Sequence, residues 1–152
     1  MIIRLSGKDD RCWALMPKLA DRIIRYGVQF DQANVQDLVR KVQAELVLDQ
    51  NQTALWMAVN LGSSEQVRGH LLASVDQFNG RKTGFIEQLA LDASAITPDE
   101  RQTCITELEH WAGAQGCLDI TMMTGRLDRL RAWEHRFGFK PFKAIMRREL
   151  PK

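Results

Sequence analysis

The run Thr97-Pro98-Asp99-Glu100 has the residue types and spacing of a helix start, where anions are commonly bound. A helix N-terminus presents N–H groups without intrahelical partners, together with the positive end of the helix dipole. Here a threonine three residues before a glutamate gives the capping-box pattern, and Pro98 suits the first helical position. Asp99 and Glu100 also add negative charge to the first turn. The pattern predicts a self-capped helix that repels phosphate, with Arg101 as the only nearby compensating charge.

Other residues that could do chemistry are dispersed along the chain. The three histidines have neither H-x-x-x-H nor H-E-x-x-H spacing, so we predict no metal site (His70, His110 and His135). Cys104 and Cys117 lie at opposite ends of one predicted helix and are interpreted as buried apolar residues. The sequence contains neither a Walker loop nor a G-x-S-x-G motif.

Apolar periodicity predicts the elements that position these residues. Strands are expected at 2–5, 54–59, 71–75, 85–91, 118–123 and 142–148, and helices at 9–26, 34–47, 98–114 and 127–137. Asn79-Gly80 suits a two-residue hairpin, and Gly116 and Gly138 suit helix ends. The order β-α-α-β-β-β-α-β-α-β predicts an α/β (α+β) fold with a single mixed sheet of six to seven strands and helices on both faces. No linker or repeat divides residues 1–152, so we expect one domain.

The segment from Gly84 to Ala112 resembles the cofactor-binding core of the GNAT superfamily of acyl-CoA N-acyltransferases. The family pattern is a strand ending in L-x-V, then x-P-x-x-R-G-x-G-x-G, then a helix ending in L-E-x-W-A. Leu89 and Leu91 match the strand end, and Leu108-Glu109-His110-Trp111-Ala112 matches the helix end. The glycine-rich part does not match: the family's arginine falls on Ile96, and its glycines fall on Thr97, Asp99 and Arg101.

The resemblance implies roles for individual residues. It places the pantetheine arm of acetyl-CoA on the backbone of Leu89-Ala90-Leu91, and the pyrophosphate at Thr97 and Arg101. It gives Glu87 the role of the base that removes a proton from an amine, since an amine must be deprotonated before it attacks. The family's tyrosine acid corresponds to Glu134. We therefore expect acetyl-CoA to bind weakly or not at all in the usual way.

Composition and charge restrict the partners. The chain of 152 residues is 45% hydrophobic and 26% charged, which is ordinary for a soluble domain, and it has no run long enough to span a membrane. Three cysteines without C-x-x-C spacing, and an N-terminus unlike a signal peptide, favour a cytoplasmic protein. The segment Arg126–Lys152 contains nine basic residues and only three acidic ones, so a nucleic-acid partner remains an open alternative. A homodimer is open as well.

Three functions are compatible with these features. The first is a GNAT-like N-acetyltransferase that moves an acyl group from acyl-CoA to an unidentified primary amine despite a degenerate pyrophosphate loop. The second is a non-catalytic scaffold or binding protein with the same fold, similar to divergent members found among bacteriophage proteins. The third is a module that binds anions or nucleic acid through the segment Arg126–Lys152.

Overall fold

One mixed sheet organises the described part of the chain, and its strands lie in sequence order. In the computed structural model these strands are β1 (Ile2–Leu5), β2 (Thr53–Asn60), β3 (Gln66–Phe78), β4 (Arg81–Ala90) and β5 (Asp119–Met122). The strands from β1 to β4 pair antiparallel, whereas β4 and β5 are parallel. The structure describes residues 2–5, 52–60, 66–78, 80–91, 94–122 and 130–141, with 14, 15, 17, 18, 37, 40, 44, 128, 148, 150 and 151.

Strand β2 lies at the centre of the core because it is buried on both faces. Every residue from Thr53 to Val59 is buried, with no alternation of apolar and polar side chains. Ala54, Trp56 and Ala58 belong to the cluster that contacts the helix after β4. The residues between them point to the opposite face and are equally buried. The predicted cover on both faces of the sheet therefore agrees with the burial of this strand.

Glycine ends the described helices where the sequence predicts. Helix α1 (Pro98–Ala114) has Thr97 as its N-cap, and Gly116 follows it with φ of 77°. Helix α2 (Leu130–Phe137) is followed by Gly138 with φ of 68°. A positive φ costs glycine little, and it lets the chain turn back so that the last helical carbonyls are satisfied. The Gly138 N–H donates to the carbonyl of Glu134 at 3.1 Å.

The hairpin and the crossover are also confirmed. Phe78 pairs with Arg81, so the two strands of the hairpin remain paired up to the predicted turn, and Gly80 has φ of 74°. Helix α1 connects the parallel strands β4 and β5, as expected for a β-α-β unit. Strands β3 and β4 are longer than predicted, because the hairpin ladder continues to its loop.

Other predicted elements fall mainly outside the described residues. The residues described within the first two predicted helices, such as Leu15 and Asp37, are helical. The predicted strand 142–148 lies outside the described residues except for Arg148, so the sixth strand stays a prediction. No helix among the described residues is both long and apolar enough to cross a membrane.

Candidate functional site

A β-bulge at Glu87 interrupts β4 near its C-terminal end. Leu72 pairs with Gln88 and the next residue, Ala73, pairs with Ile86, so Glu87 has no residue opposite it on β3. A bulge bends the strand that contains it and increases its local twist. The described pairing of β4 with β5 ends at the same place, with Ile86 opposite Met122. The bulge therefore lies where the two parallel strands stop pairing in the described part of the chain.

Beyond the bulge, the backbone of Leu89 and Leu91 faces the side of β5. Before the bulge, the Lys82 carbonyl accepts a hydrogen bond from the Leu118 N–H at 2.9 Å. The even-numbered residues in this part of β4 therefore direct their backbone N–H and C=O groups towards β5. The side chain of Ile86 lies in the cluster with α1, and those of Leu89 and Leu91 lie in or against the same cluster. Because side-chain face and backbone direction alternate together along a strand, Leu89 and Leu91 direct their N–H and C=O groups towards β5.

Ala90, the third residue of the predicted pantetheine segment, is oriented differently. It pairs with His70 of β3 and is half-buried. Its backbone groups therefore face β3 and not the side of β5. The structure thus places Leu89, Ala90 and Leu91 together at the end of β4, with the backbone of the first and third facing the side of β5.

The side chain of Glu87 is exposed and held by one neighbour. Ser74 on β3 donates a hydrogen bond from Oγ to Oε1 of Glu87 at 2.8 Å. This contact orients the carboxylate and leaves its second oxygen able to accept a proton. A carboxylate of this kind can act as a general base only for a substrate whose proton comes within its hydrogen-bonding reach.

The capping box that the sequence predicts is formed at the start of α1. The Glu100 N–H donates to Thr97 Oγ1, and the Thr97 N–H donates to Glu100 Oε2, both at 3.1 Å. Pro98 has no N–H, and the Arg101 N–H donates to the Thr97 carbonyl at 3.0 Å. The groups that would meet a phosphate at Thr97 and Arg101 are therefore engaged within the helix.

Arg68 is a residue of this region that sequence reasoning missed. Its guanidinium donates to both carboxylate oxygens of Glu100, at 2.9 Å and 2.5 Å, and to the Ala95 carbonyl at 2.7 Å. Both side chains of the ion pair are mostly buried, at 20% and 17% exposure. Hydrogen bonding from Arg68 holds the pKa of the Glu100 carboxyl well below its usual range. The prediction that Arg101 alone compensates the acids of the helix start is therefore wrong.

A second β-bulge explains why Arg68 reaches the helix. Ala58 pairs with Gly69 and Val59 pairs with Val67, so Arg68 is the extra residue of β3. A bulge of this kind redirects a side chain relative to its neighbours. Its position depends on pairing between separate strands, and no local sequence pattern signals it.

Ile96 occupies a notch above Gly69. Its side chain is only 3% exposed. A Cβ added to Gly69 would lie 2.1 Å from Ile96 Cδ1, so only glycine permits this contact. Ile96, which falls at the arginine position of the GNAT pattern, is thus an apolar side chain buried against the sheet, and it fixes the segment before α1.

A separate concavity of about 490 Å³ lies at the other end of α1. Its lining includes Leu118, Phe137 and Phe139, and none of the predicted site residues. Among the described residues no group of three or more His, Cys, Asp or Glu side chains could hold a metal ion.

Solved acetyltransferase structures match the chain over nearly its whole length. A Clostridium acetobutylicum protein described as a predicted acetyltransferase, with acetyl-CoA, matches with TM-score 0.70 and 15% identity, over 98% of this chain and 95% of its own. AAC(6')-Iy, in complex with the bisubstrate analogue CoA-S-monomethyl-acetylneamine, gives TM-score 0.67 and 16% identity, over 99% and 98%. An aminoglycoside acetyltransferase from an uncultured soil metagenomic sample, in complex with sisomicin, gives 0.62 and 17%, over 100% and 96%. No protein-family model matches the sequence, and no curated protein matches it.

The described residues fit one half of a CoA-type donor and not the other. An extended arm with amide groups suits the backbone of Leu89 and Leu91, because main-chain hydrogen bonds need no particular side chain. A pyrophosphate does not suit the start of α1, where Thr97, Glu100 and Arg68 bind one another. The half of the site that fits is the half that would hold the thioester.

Proposed function

We propose, from the GNAT-superfamily fold that these neighbours share with the chain, that it transfers an acyl group from a thioester donor to a primary amine. The observation that carries the proposal is the bulge at Glu87, two residues before Leu89 on β4, whose exposed carboxylate accepts a hydrogen bond from Ser74. The neighbours' acetyl-CoA, CoA analogue and aminoglycoside-type ligand support the choice of donor and acceptor classes.

In the proposed reaction the thioester supplies the activated acyl group. The amine nitrogen attacks the thioester carbonyl, a C–N bond forms, and the C–S bond breaks. Glu87 accepts the proton that the amine loses, while Ser74 keeps the carboxylate in place. The departing thiolate takes a proton from solvent, because the position of the family's tyrosine is occupied by Glu134, an exposed residue of α2.

The test is direct detection of transfer. The protein would be incubated with acetyl-CoA at millimolar concentration and a panel of primary amines that includes aminoglycosides. Mass spectrometry would then follow the appearance of N-acetylated product. We expect acetyl-CoA to bind with a Kd above about 100 μM, so a high donor concentration is needed. Absence of product from the whole panel, with a folded protein that does bind donor, would favour the non-catalytic scaffold.

Binding of nucleic acid through Arg126–Lys152 stays a separate proposal. The described basic residues of this segment, such as Arg131, Arg136 and Lys140, are exposed. Much of the segment lies outside the described residues. A steep fall in polyanion affinity with rising salt would support this role.

A further inference from the structure

Among the described residues, Leu89 and Leu91 have no pairing partner on β5, whereas the residues at the start of α1 bind one another and Arg68. At the strand edge, Leu89 and Leu91 direct backbone donors and acceptors past the last described pair with β5, Ile86 and Met122. A ligand with amides spaced along an extended arm can bind such an edge as a further strand would. This mode of binding needs neither charge nor a specific side chain.

The segment before α1 is held against the sheet. Ile96 is buried above Gly69, and the two residues lie so close that a Cβ on Gly69 would stand 2.1 Å from Ile96 Cδ1. The Ala95 carbonyl is held at 2.7 Å by Arg68. A phosphate that bound between this segment and β3 would have to displace a buried isoleucine.

Charge at the helix start is balanced internally. Arg68 binds the Glu100 carboxylate on both oxygens, which is the same two-point contact that a guanidinium makes with phosphate. Glu100 therefore occupies the position that an anionic ligand of Arg68 would take. Asp99, exposed in the first turn, adds a further negative charge that opposes an incoming anion.

We infer that the donor of this protein is an acyl-pantetheine thioester recognised through its pantetheine arm alone, with no contact between the start of α1 and a nucleotide. The inference rests on the proposed acyl transfer and specifies its donor class. CoA is then accepted only because it contains the same arm. A pantetheine arm bound to a carrier protein is accepted for the same reason.

The test compares CoA with pantetheine in solution. Each compound is titrated into the ¹⁵N-labelled full chain while amide resonances are followed. We expect the two Kd values to agree within about threefold, and both compounds to shift the resonances of Leu89 and Leu91. The resonances of Asp99 and Arg101 should respond no more to CoA than to pantetheine.

A kinetic comparison identifies the source of the arm. Acetyl-CoA and acetyl-pantetheine should give the same kcat/KM within about threefold, because the nucleotide contributes no binding. A third donor, an acetylated phosphopantetheine arm on a carrier protein, distinguishes a tethered source from a free one. A higher kcat/KM for the tethered donor than for the free thioesters would identify a carrier protein as the source of the arm. A lower value would identify a free thioester as the source. Both results agree with the inference.

The opposing outcomes separate this inference from the proposed function. CoA that binds at least about tenfold more tightly than pantetheine, with added shifts at Asp99 and Arg101, would overturn the inference and leave acyl transfer standing. If neither compound binds at about 10 mM, the inference and the proposed function both fail. Equal binding without acylation of any amine would keep the donor class and remove the reaction.

Discussion

Arg68 determines the charge at the start of α1 because its guanidinium binds both oxygens of Glu100. In sequence, Thr97-Pro98-Asp99-Glu100 is a helix start with two acids, and Arg101 is their only nearby compensating charge. In the structure, one of those acids is neutralised by a residue of β3 that lies 32 positions earlier. The helix start is therefore less repulsive to anions than its sequence indicates, yet the N–H groups of Thr97, Glu100 and Arg101 already have hydrogen-bond partners.

Removing the Glu100 charge should lower the stability of the protein by an amount that depends on pH. Glu100→Gln keeps the capping geometry but loses a charge-assisted pair, so the free energy of unfolding at neutral pH should fall by about 1.5–3 kcal/mol. Arg68 lowers the folded-state pKa of Glu100, so this contribution is complete above the unfolded pKa of about 4.3 and is lost as pH falls towards the folded pKa. Urea denaturation at several pH values measures it.

The control for this variant is Asp99→Asn, a change in the same turn at an exposed side chain. It should lower stability by less than about 1 kcal/mol, through the helix dipole alone. The difference in the free energy of unfolding between the parent and Glu100→Gln should decrease below about pH 4. A difference in unfolding free energy that stays constant down to about pH 2 would show that the ion pair does not stabilise the fold.

The two described cysteines should differ in reactivity. Burial raises the pKa of the Cys104 thiol to about 12. At pH 8 only about one molecule in 10,000 then carries its thiolate, the form that reacts with alkylating reagents. Burial also raises the pKa of Cys117, but that side chain is half-buried and more accessible.

Native alkylation with iodoacetamide, followed by peptide mapping, should therefore label Cys117 before Cys104. Unfolding in urea should make the two rates equal. Labelling of Cys104 first in the native protein would contradict its burial between α1 and the sheet.

At the scale of elements, two β-bulges position the candidate site. The bulge at Glu87 follows the last described pair between β4 and β5, and the bulge at Arg68 brings a basic residue to α1. Ile96 then fixes the segment before α1, because its side chain fits the notch above Gly69. Each of these contacts joins residues from different elements.

Filling the notch should destabilise the protein. In Gly69→Ala the new methyl would lie 2.1 Å from Ile96 Cδ1 and 2.8 Å from the Ala90 carbonyl, so side chain and backbone must both shift. Overpacking of this kind costs about 1–3 kcal/mol. Thermal or urea unfolding of the purified variant measures the change.

Gly113→Ala provides the matched control. Gly113 lies in α1 with no atom within 4 Å of an added Cβ, and alanine favours a helix by about 1 kcal/mol over glycine. This variant should be as stable as the parent or more stable. Equal effects from the two substitutions would show that Ile96 does not rely on the glycine notch.

At the scale of the whole molecule, local signals predicted more than non-local ones. Helix α1, its Thr97 cap and the Asn79-Gly80 hairpin follow from short patterns whose chemistry acts within a few residues. The parallel pairing of β4 and β5 followed from the length of the intervening helix. The role of Arg68 and the bulge at Glu87 depend on register between strands, which apolar periodicity does not determine.

The most direct test of the proposed reaction is the rate of amine acylation by the parent protein and by Glu87→Gln across about pH 6–9. Glutamine keeps the shape and can still accept the hydrogen bond from Ser74, so stability should be nearly unchanged. We predict a rate at least about tenfold lower at neutral pH, because a general base contributes about 10²–10⁴-fold. The difference should shrink at high pH, where the amine is already deprotonated. Equal rates in parent and variant across the whole range would contradict a catalytic role for Glu87.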